Sequence, residues 1–134
     1  MAQQVFINLP VKDLQRSIAF FGSLGFTFNP VFTDETATCM IVSDTIFVML
    51  LTEDKFRQFT PKTVCDTSHS AEVLICLSRD SREDVDSMVE AALANGGAPA
   101  QPAKDYGFMY QGSFLDPDGH SWELIWMNQD AQSG

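Results

Sequence analysis

The segment Gly112–Trp126, "GSFLDPDGHSWELIW", is typical of a β-hairpin and determines much of the fold. Its centre, "DPDG", has proline and glycine where a type I turn with a following glycine bulge requires them. Such a loop fixes which residues of the two strands lie opposite each other. The predicted pairs are Asp116 with His120, Leu115 with Ser121, Ser113 with Glu123, and Gln111 with Ile125.

The two faces of this hairpin differ in character, because paired residues share a face. The polar face carries Gln111, Ser113, Ser121 and Glu123, and the aromatic face carries Tyr110, Phe114, Trp122, Leu124 and Trp126. The large aromatic side chains should pack beneath helices, where their area is removed from water. Glu123 then lies on the other face, and a carboxylate in mid-strand needs a partner or a function.

The order of elements in the chain occurs twice. A strand, Val5–Val11, precedes a helix with Asp13 as N-cap and Gly25 after its end, and β-type segments follow at 27–33, 38–42 and 45–52. From Ala71 the strand "AEVLICL" precedes a helix that starts at Ser81 and stops at "NGG", before the hairpin. The pattern predicts two β-α-β-β-β modules.

These modules span residues 4–52 and 71–128, within one predicted domain, 1–134. Between them, residues 53–70 are polar and rich in turn-forming residues apart from Phe56 and Phe59. This linker either covers an edge of the core with its aromatic side chains or acts as a lid over a pocket.

Composition limits the classes of partner and compartment. The formal net charge is −10, which argues against nucleic acid or an anionic membrane surface as a partner. There is no apolar run of transmembrane length and no signal-peptide pattern at the N-terminus. Three cysteines without CxxC spacing fit free thiols in a reducing compartment, so we expect a cytoplasmic protein.

The sequence resembles the vicinal oxygen chelate superfamily, which includes glyoxalase I, bleomycin-resistance proteins and extradiol dioxygenases. Three segments carry this resemblance: "LPVKDLQRSIAFFGSLGF", "SREDVDSMVEAALANGG" and "FLDPDGHSWELIW". With the repeated element order, it covers nearly the whole chain. The resemblance implies an α+β fold in which two β-α-β-β-β modules form a curved mixed-sheet cup. It also implies a homodimer, since proteins of this superfamily commonly pair.

In glyoxalase I the metal is held by residues from the first and last strands of each half. The resemblance places Glu72 and Glu123 at these positions in the second half, and Phe6 and Leu50 in the first half. Because Phe6 and Leu50 cannot bind a metal, two carboxylates remain, which is fewer than a stable site needs. We therefore expect no cofactor; a divalent metal on Glu72 and Glu123, in a site rearranged around Asn8 or His69, is the alternative.

The candidate site combines two carboxylates with a polar and apolar lining. Glu123 and Glu72 are the candidate catalytic residues. The candidate ligand-binding residues are Phe6, Asn8, Leu50, Met109, Gln111 and Ser113. Other polar residues have structural interpretations: His69 and His120 as surface or turn residues, and Cys39 and Cys76 as small core residues.

Three functions are compatible with these residues. The first is a glyoxalase-type lyase, in which a carboxylate removes a proton next to a carbonyl. The second is a metal-free protein that sequesters a drug or metabolite, as bleomycin-resistance proteins do. A metal-dependent lyase or dioxygenase with a rearranged site is a variant of the first, and a fold retained only as an interaction partner is the third.

Overall fold

The computed structural model describes residues 2–128, and the chain divides into two compact units, Met1–Cys65 and Asp66–Gly134. Each unit contains a mixed β-sheet and one helix of ten or more residues. The predicted α+β class with two curved mixed sheets is therefore confirmed. Within residues 2–128, no helix has the length and apolar character needed to cross a membrane.

The first unit has the element order predicted from the sequence. Its elements are β1 (Val5–Val11), α1 (Leu14–Ser23), β2 (Thr27–Asn29), β3 (Ala37–Ile41), β4 (Ile46–Thr52) and α2 (Glu53–Arg57). The sheet order is β1-β4-β3-β2, with β1 parallel to β4 and the other neighbours antiparallel. A 3₁₀ turn, Pro30–Phe32, ends β2 earlier than the predicted residue 33, because proline fixes φ and removes a donor.

The second unit repeats this arrangement. Its elements are β5 (Leu74–Ser78), α3 (Arg82–Ala94), β6 (Ala98–Pro99), β7 (Lys104–Asp105), β8 (Met109–Leu115) and β9 (Ser121–Met127). The sheet order is β5-β9-β8-β6, and the short β7 also pairs with β8. Here β5 is parallel to β9, as β1 is to β4.

Both long helices begin at the residues that the sequence indicated. The Asp13 side chain accepts from the Arg16 N–H at 3.1 Å, and Ser81 Oγ accepts from the Asp84 N–H at 3.0 Å. These contacts satisfy backbone donors that have no partner within the helix. Gly25 follows the end of α1 with φ of +99°, a conformation that glycine adopts without steric cost.

The β8–β9 hairpin has the predicted register throughout, including Ser113 opposite Glu123 and Gln111 opposite Ile125. Its aromatic face packs under α3, where Phe114, Trp122 and Leu124 are at most 1% exposed. The Phe114 and Trp122 rings stack with centroids 6.3 Å apart. The turn thus determines which side chains form the core of the second unit.

Asp116 organises the turn between β8 and β9. Its Oδ1 accepts from the N–H groups of Asp118 and His120, and its Oδ2 accepts from Trp122 Nε1 at 3.0 Å. Burial raises the pKa of Asp116, although neighbouring His120 and these donors act in the opposite direction. Of the two expectations for His120, the turn position holds, since its N–H donates to Asp116 Oδ1, and the surface position does not, since it is 8% exposed.

The segment between the modules is more structured than a polar linker. It begins with α2, which Thr52 caps by accepting from the Lys55 N–H at 3.3 Å. Further along, Thr67 Oγ1 donates to the carbonyl of Asp118 at 2.5 Å, which joins this segment to the β8–β9 turn within the second unit. Whether any part of it moves as a lid stays a prediction.

Candidate functional site

Glu123 lies in the middle of β9 on the polar face of the second sheet, and it is partly exposed. Gln111, on the adjacent strand β8, donates from Nε2 to Glu123 Oε2 at 2.5 Å. The two residues are diagonal neighbours, since Gln111 pairs with Ile125 and Ser113 with Glu123. The hydrogen bond from Gln111 orients the carboxylate through Oε2.

A pocket of about 250 Å³ opens over this face. Its floor is formed by Gln111, Ser113 and Glu123, and its wall by Gln101, Pro102, Lys104 and Tyr106. All of these residues belong to the second unit. This volume is slightly below the usual range for small-molecule sites, roughly 300–1,000 Å³. The pocket therefore suits a small molecule.

Ser113 holds the pocket wall in place. Its hydroxyl accepts from the Gln101 N–H at 3.0 Å and donates to the Gln101 carbonyl at 3.2 Å. The side chain is 8% exposed. Because its proton is already used, we infer that Ser113 positions Gln101 more than it contacts a ligand.

Cys76 is the neighbour of Glu123 on the other side, since β5 pairs Cys76 with Glu123. Partial burial of the thiol, and then the charge of Glu123, raise the pKa of Cys76. A raised pKa disfavours the thiolate, which is the nucleophilic form. The prediction of a core residue holds for Cys39, which is 2% exposed, but Cys76 is exposed.

Glu72 does not join Glu123. The strand predicted from Ala71 begins only at Leu74, so Glu72 precedes it and is exposed. Within β5 the partner of Glu123 is Cys76, four residues further on, which corresponds to roughly 13 Å along a strand. The predicted pair of carboxylates was wrong for this reason.

In the first unit, Phe6 and Asn8 share one face of β1. Phe6 pairs with Phe47 and its ring stacks on it with centroids 4.9 Å apart, while Asn8 pairs with Met49. Leu50 was predicted on that face and lies on the opposite one. It pairs with Leu9 and is fully buried in the core.

Comparison of the two modules shows which first-module residue occupies the position of Glu123 in place of Leu50. Asn8 precedes the α1 cap by five residues, as Cys76 precedes the α3 cap, and their partners are Met49 and Glu123. Met49 is therefore the first-module equivalent of Glu123. A thioether in place of a carboxylate removes the hard oxygen donor from that module.

Met109 is on the same face of β8 as Gln111, opposite Met127 at the far end of the hairpin, and it does not line the pocket. Phe6, Asn8 and Leu50 belong to the first unit. Of the predicted site residues, the pocket thus brings together Glu123, Gln111 and Ser113.

The donor set does not fit a metal site. Among residues 2–128, no group of three or more His, Cys, Asp or Glu side chains is arranged to hold a metal ion. Glu123 has an amide and a thiol beside it instead of a second carboxylate. Protein sites for zinc and related ions need three or four ligands.

Sequence reasoning missed the four residues of the pocket wall. Residues 98–106 contain only two-residue strands, which are too short to show an alternating pattern. The available signal was Pro99 with Pro102, since proline near a strand indicates a sheet edge.

Comparisons with known proteins agree with this architecture. Residues 3–43 match the family model described as bleomycin resistance protein-like N-terminal. A hypothetical protein from S. aureus is similar in structure, with a TM-score of 0.79, 27% identity, and coverage of 93% of this chain and 94% of that one. No curated protein matches the sequence.

Two further solved structures have the same fold. A glyoxalase-related enzyme from Fulvimarina pelagi has a TM-score of 0.77 and 23% identity, with coverage of 94% of this chain and 88% of the other. A glyoxalase/bleomycin resistance protein/dioxygenase family enzyme from Burkholderia phytofirmans also has a TM-score of 0.77, at 17% identity, with coverage of 94% and 99%. At these identities the likeness concerns the fold.

Proposed function

We propose that the chain is a member of the vicinal oxygen chelate superfamily and that it binds a small organic molecule without a metal, in the pocket over β8 and β9. The observation that carries this proposal is the Glu123 carboxylate in the pocket floor, oriented by Gln111. Glu123 serves as the polar anchor, and the hydrogen bond from Gln111 leaves Oε1 available to a ligand donor.

A protonated amine is the ligand group that Glu123 favours. A carboxylate accepts strong, charge-assisted hydrogen bonds from cationic donors. The field of a chain with net charge −10 also attracts cations. Metal-free sequestration or transport of an amine-containing metabolite is thus the function that the geometry supports best.

The test measures amine binding and its dependence on Glu123. A panel of small aromatic and aliphatic amines is titrated into ¹⁵N-labelled protein, and the side-chain NH₂ signals of Gln111 report occupancy of the pocket. Glu123→Gln should weaken binding by about tenfold, the effect of one charge-assisted hydrogen bond. Glu90→Gln, which makes the same change on the exposed side of α3, is the control. Equal affinities in the wild type and Glu123→Gln would remove Glu123 from this role.

The metal-free form of the proposal has its own measurement. Protein dialysed against EDTA should bind the same amines with unchanged affinity, because no donor set for a metal is present among residues 2–128. Loss of binding after EDTA and recovery with zinc or nickel would contradict it.

We place this function in the cytoplasm. Cys39, Cys65 and Cys76 are all free thiols, as the sequence suggested. Unpaired cysteines of this kind are usual in a reducing compartment. Fractionation of cells that produce the tagged protein is the direct measurement.

A further inference from the structure

Two opposite charges line the pocket without neutralising each other. Lys104 is in the wall and Glu123 is in the floor, and neither forms an ion pair within 4 Å with any residue from 2 to 128. The chain has eight basic residues and eighteen acidic ones, so a lysine beside a pocket that has no acidic partner in the described part of the chain needs an explanation.

The register of β7 explains why Lys104 forms no ion pair with the residues that the structure describes. Lys104 pairs with Gln111, so its side chain lies on the pocket face, while the next residue, Asp105, pairs with Tyr110 on the opposite face. There Asp105 binds Arg82 through two contacts, at 2.5 and 3.2 Å. The nearest carboxylate in sequence is therefore already occupied, on the far side of the sheet.

Gln111 lies between the two charges. It pairs with Lys104 across one strand boundary and donates to Glu123 across the other. Lys104 and Glu123 are two strand spacings apart across the sheet and two residues apart along it, roughly 12 Å at the backbone. This separation leaves room for a molecule between the charged groups, with the ring of Tyr106, 48% exposed, as an apolar surface beside it.

We propose that the pocket selects a dipolar molecule that carries a protonated amine and a carboxylate about one aromatic ring apart. The amine binds Glu123 and the carboxylate binds Lys104. A singly charged ligand would leave one protein charge partly desolvated without a partner, which is unfavourable. This inference rests on the proposed function, and the small volume adds that the ligand is of metabolite size.

The test compares three matched probes by calorimetry. 4-(Aminomethyl)benzoate carries both charges, 4-methylbenzylamine only the positive one, and 4-methylbenzoate only the negative one. The dipolar probe should bind the wild type about tenfold more tightly than either analogue. Glu123→Gln should reduce its affinity to that of 4-methylbenzoate, and Lys104→Met to that of 4-methylbenzylamine. Glu90→Gln and Lys62→Met, at exposed positions away from the pocket, should leave the ratios unchanged.

The outcomes separate this inference from the proposed function. If the dipolar probe binds no more tightly than 4-methylbenzylamine, the inference is overturned and amine binding at Glu123 stands. The same holds if all three probes fail while other amines of the panel bind. If neither these probes nor any amine of the panel binds, both are overturned.

Discussion

Gly112 lies where α3 crosses β8, and a side chain there has no room. A Cβ on Gly112 would approach Val85 Cγ1 to 2.8 Å and Val89 Cγ2 to 3.1 Å. Gly112→Ala should therefore lower the free energy of unfolding by about 1–3 kcal/mol, the usual cost of overpacking a core. Urea denaturation followed by tryptophan fluorescence measures it.

The control is the same change in α1. At Gly22 the nearest atom to a new Cβ is 3.9 Å away, in ordinary contact. Since glycine weakens a helix interior, Gly22→Ala should stabilise the protein by about 0.5–1 kcal/mol. Equal effects of the two substitutions would contradict the close packing of α3 on β8.

The sequence predicted the face of a site residue correctly where nearby turn residues determine its strand register. The turn residues determined that Ser113 lies opposite Glu123, so the polar face could be read directly. The predicted face of Leu50 was wrong because the parallel register of β1 on β4 depends on a long connection, which leaves no local signal in the sequence. The prediction that Glu72 lies in this strand was wrong because the alternating pattern starts before Leu74, the first residue of the strand in the structure.

Among the elements, the β8–β9 turn and the segment that follows Cys65 depend on each other. Gly119 has φ of +83°, and a Cβ there would lie 2.8 Å from Thr67 Oγ1. Gly107 has nearly the same φ, +85°, with nothing within 4 Å. Gly119→Ala should thus lower the melting temperature more than Gly107→Ala, because both variants carry backbone strain and only one also displaces Thr67.

A double variant isolates that contact. In a Thr67→Ala background the excess effect of Gly119→Ala over Gly107→Ala should shrink, since the Thr67 hydroxyl oxygen, the atom nearest to the new Cβ, is gone. An excess that is unchanged by Thr67→Ala would show that strain alone separates the two glycines.

The contact between α3 and β7 predicts a dependence on pH. Hydrogen bonds from Arg82, and then from the Gly107 N–H, lower the pKa of Asp105. A depressed pKa contributes stability that is complete above the ordinary aspartate value, about 3.9, and that is lost as pH falls through the folded-state pKa. The melting temperature of Asp105→Asn should be below that of the wild type at pH 7, and the difference between them should disappear in acid.

Salt provides a second measurement of the same pair. The Arg82 and Asp105 side chains are both well exposed, so the difference in melting temperature at pH 7 should also decrease as sodium chloride is added. A difference that is constant in both acid and salt would mean that Asp105 stabilises β7 through its backbone contacts and not through Arg82.

These elements show why the architecture was easier to predict than the pocket. Each long helix begins at a side chain whose oxygen caps it, and each cap can be recognised in the sequence. Of the wall residues, Lys104 is in the two-residue strand β7 and Tyr106 directly follows it, and pairing with β8 places both. Local patterns carry no information on that pairing.

At the scale of the whole molecule, charge and association act together. We propose that the chain forms a homodimer, and exposed apolar side chains such as Phe6, 49% exposed, support a further contact surface. Each chain has a formal net charge of −10, so two copies repel each other at low ionic strength. Sedimentation velocity at micromolar concentration should therefore show a dimer whose fraction rises with sodium chloride. Monomer at every salt concentration would contradict the proposed dimer, and a dimer fraction independent of salt would mean that the acidic residues lie far from the contact surface.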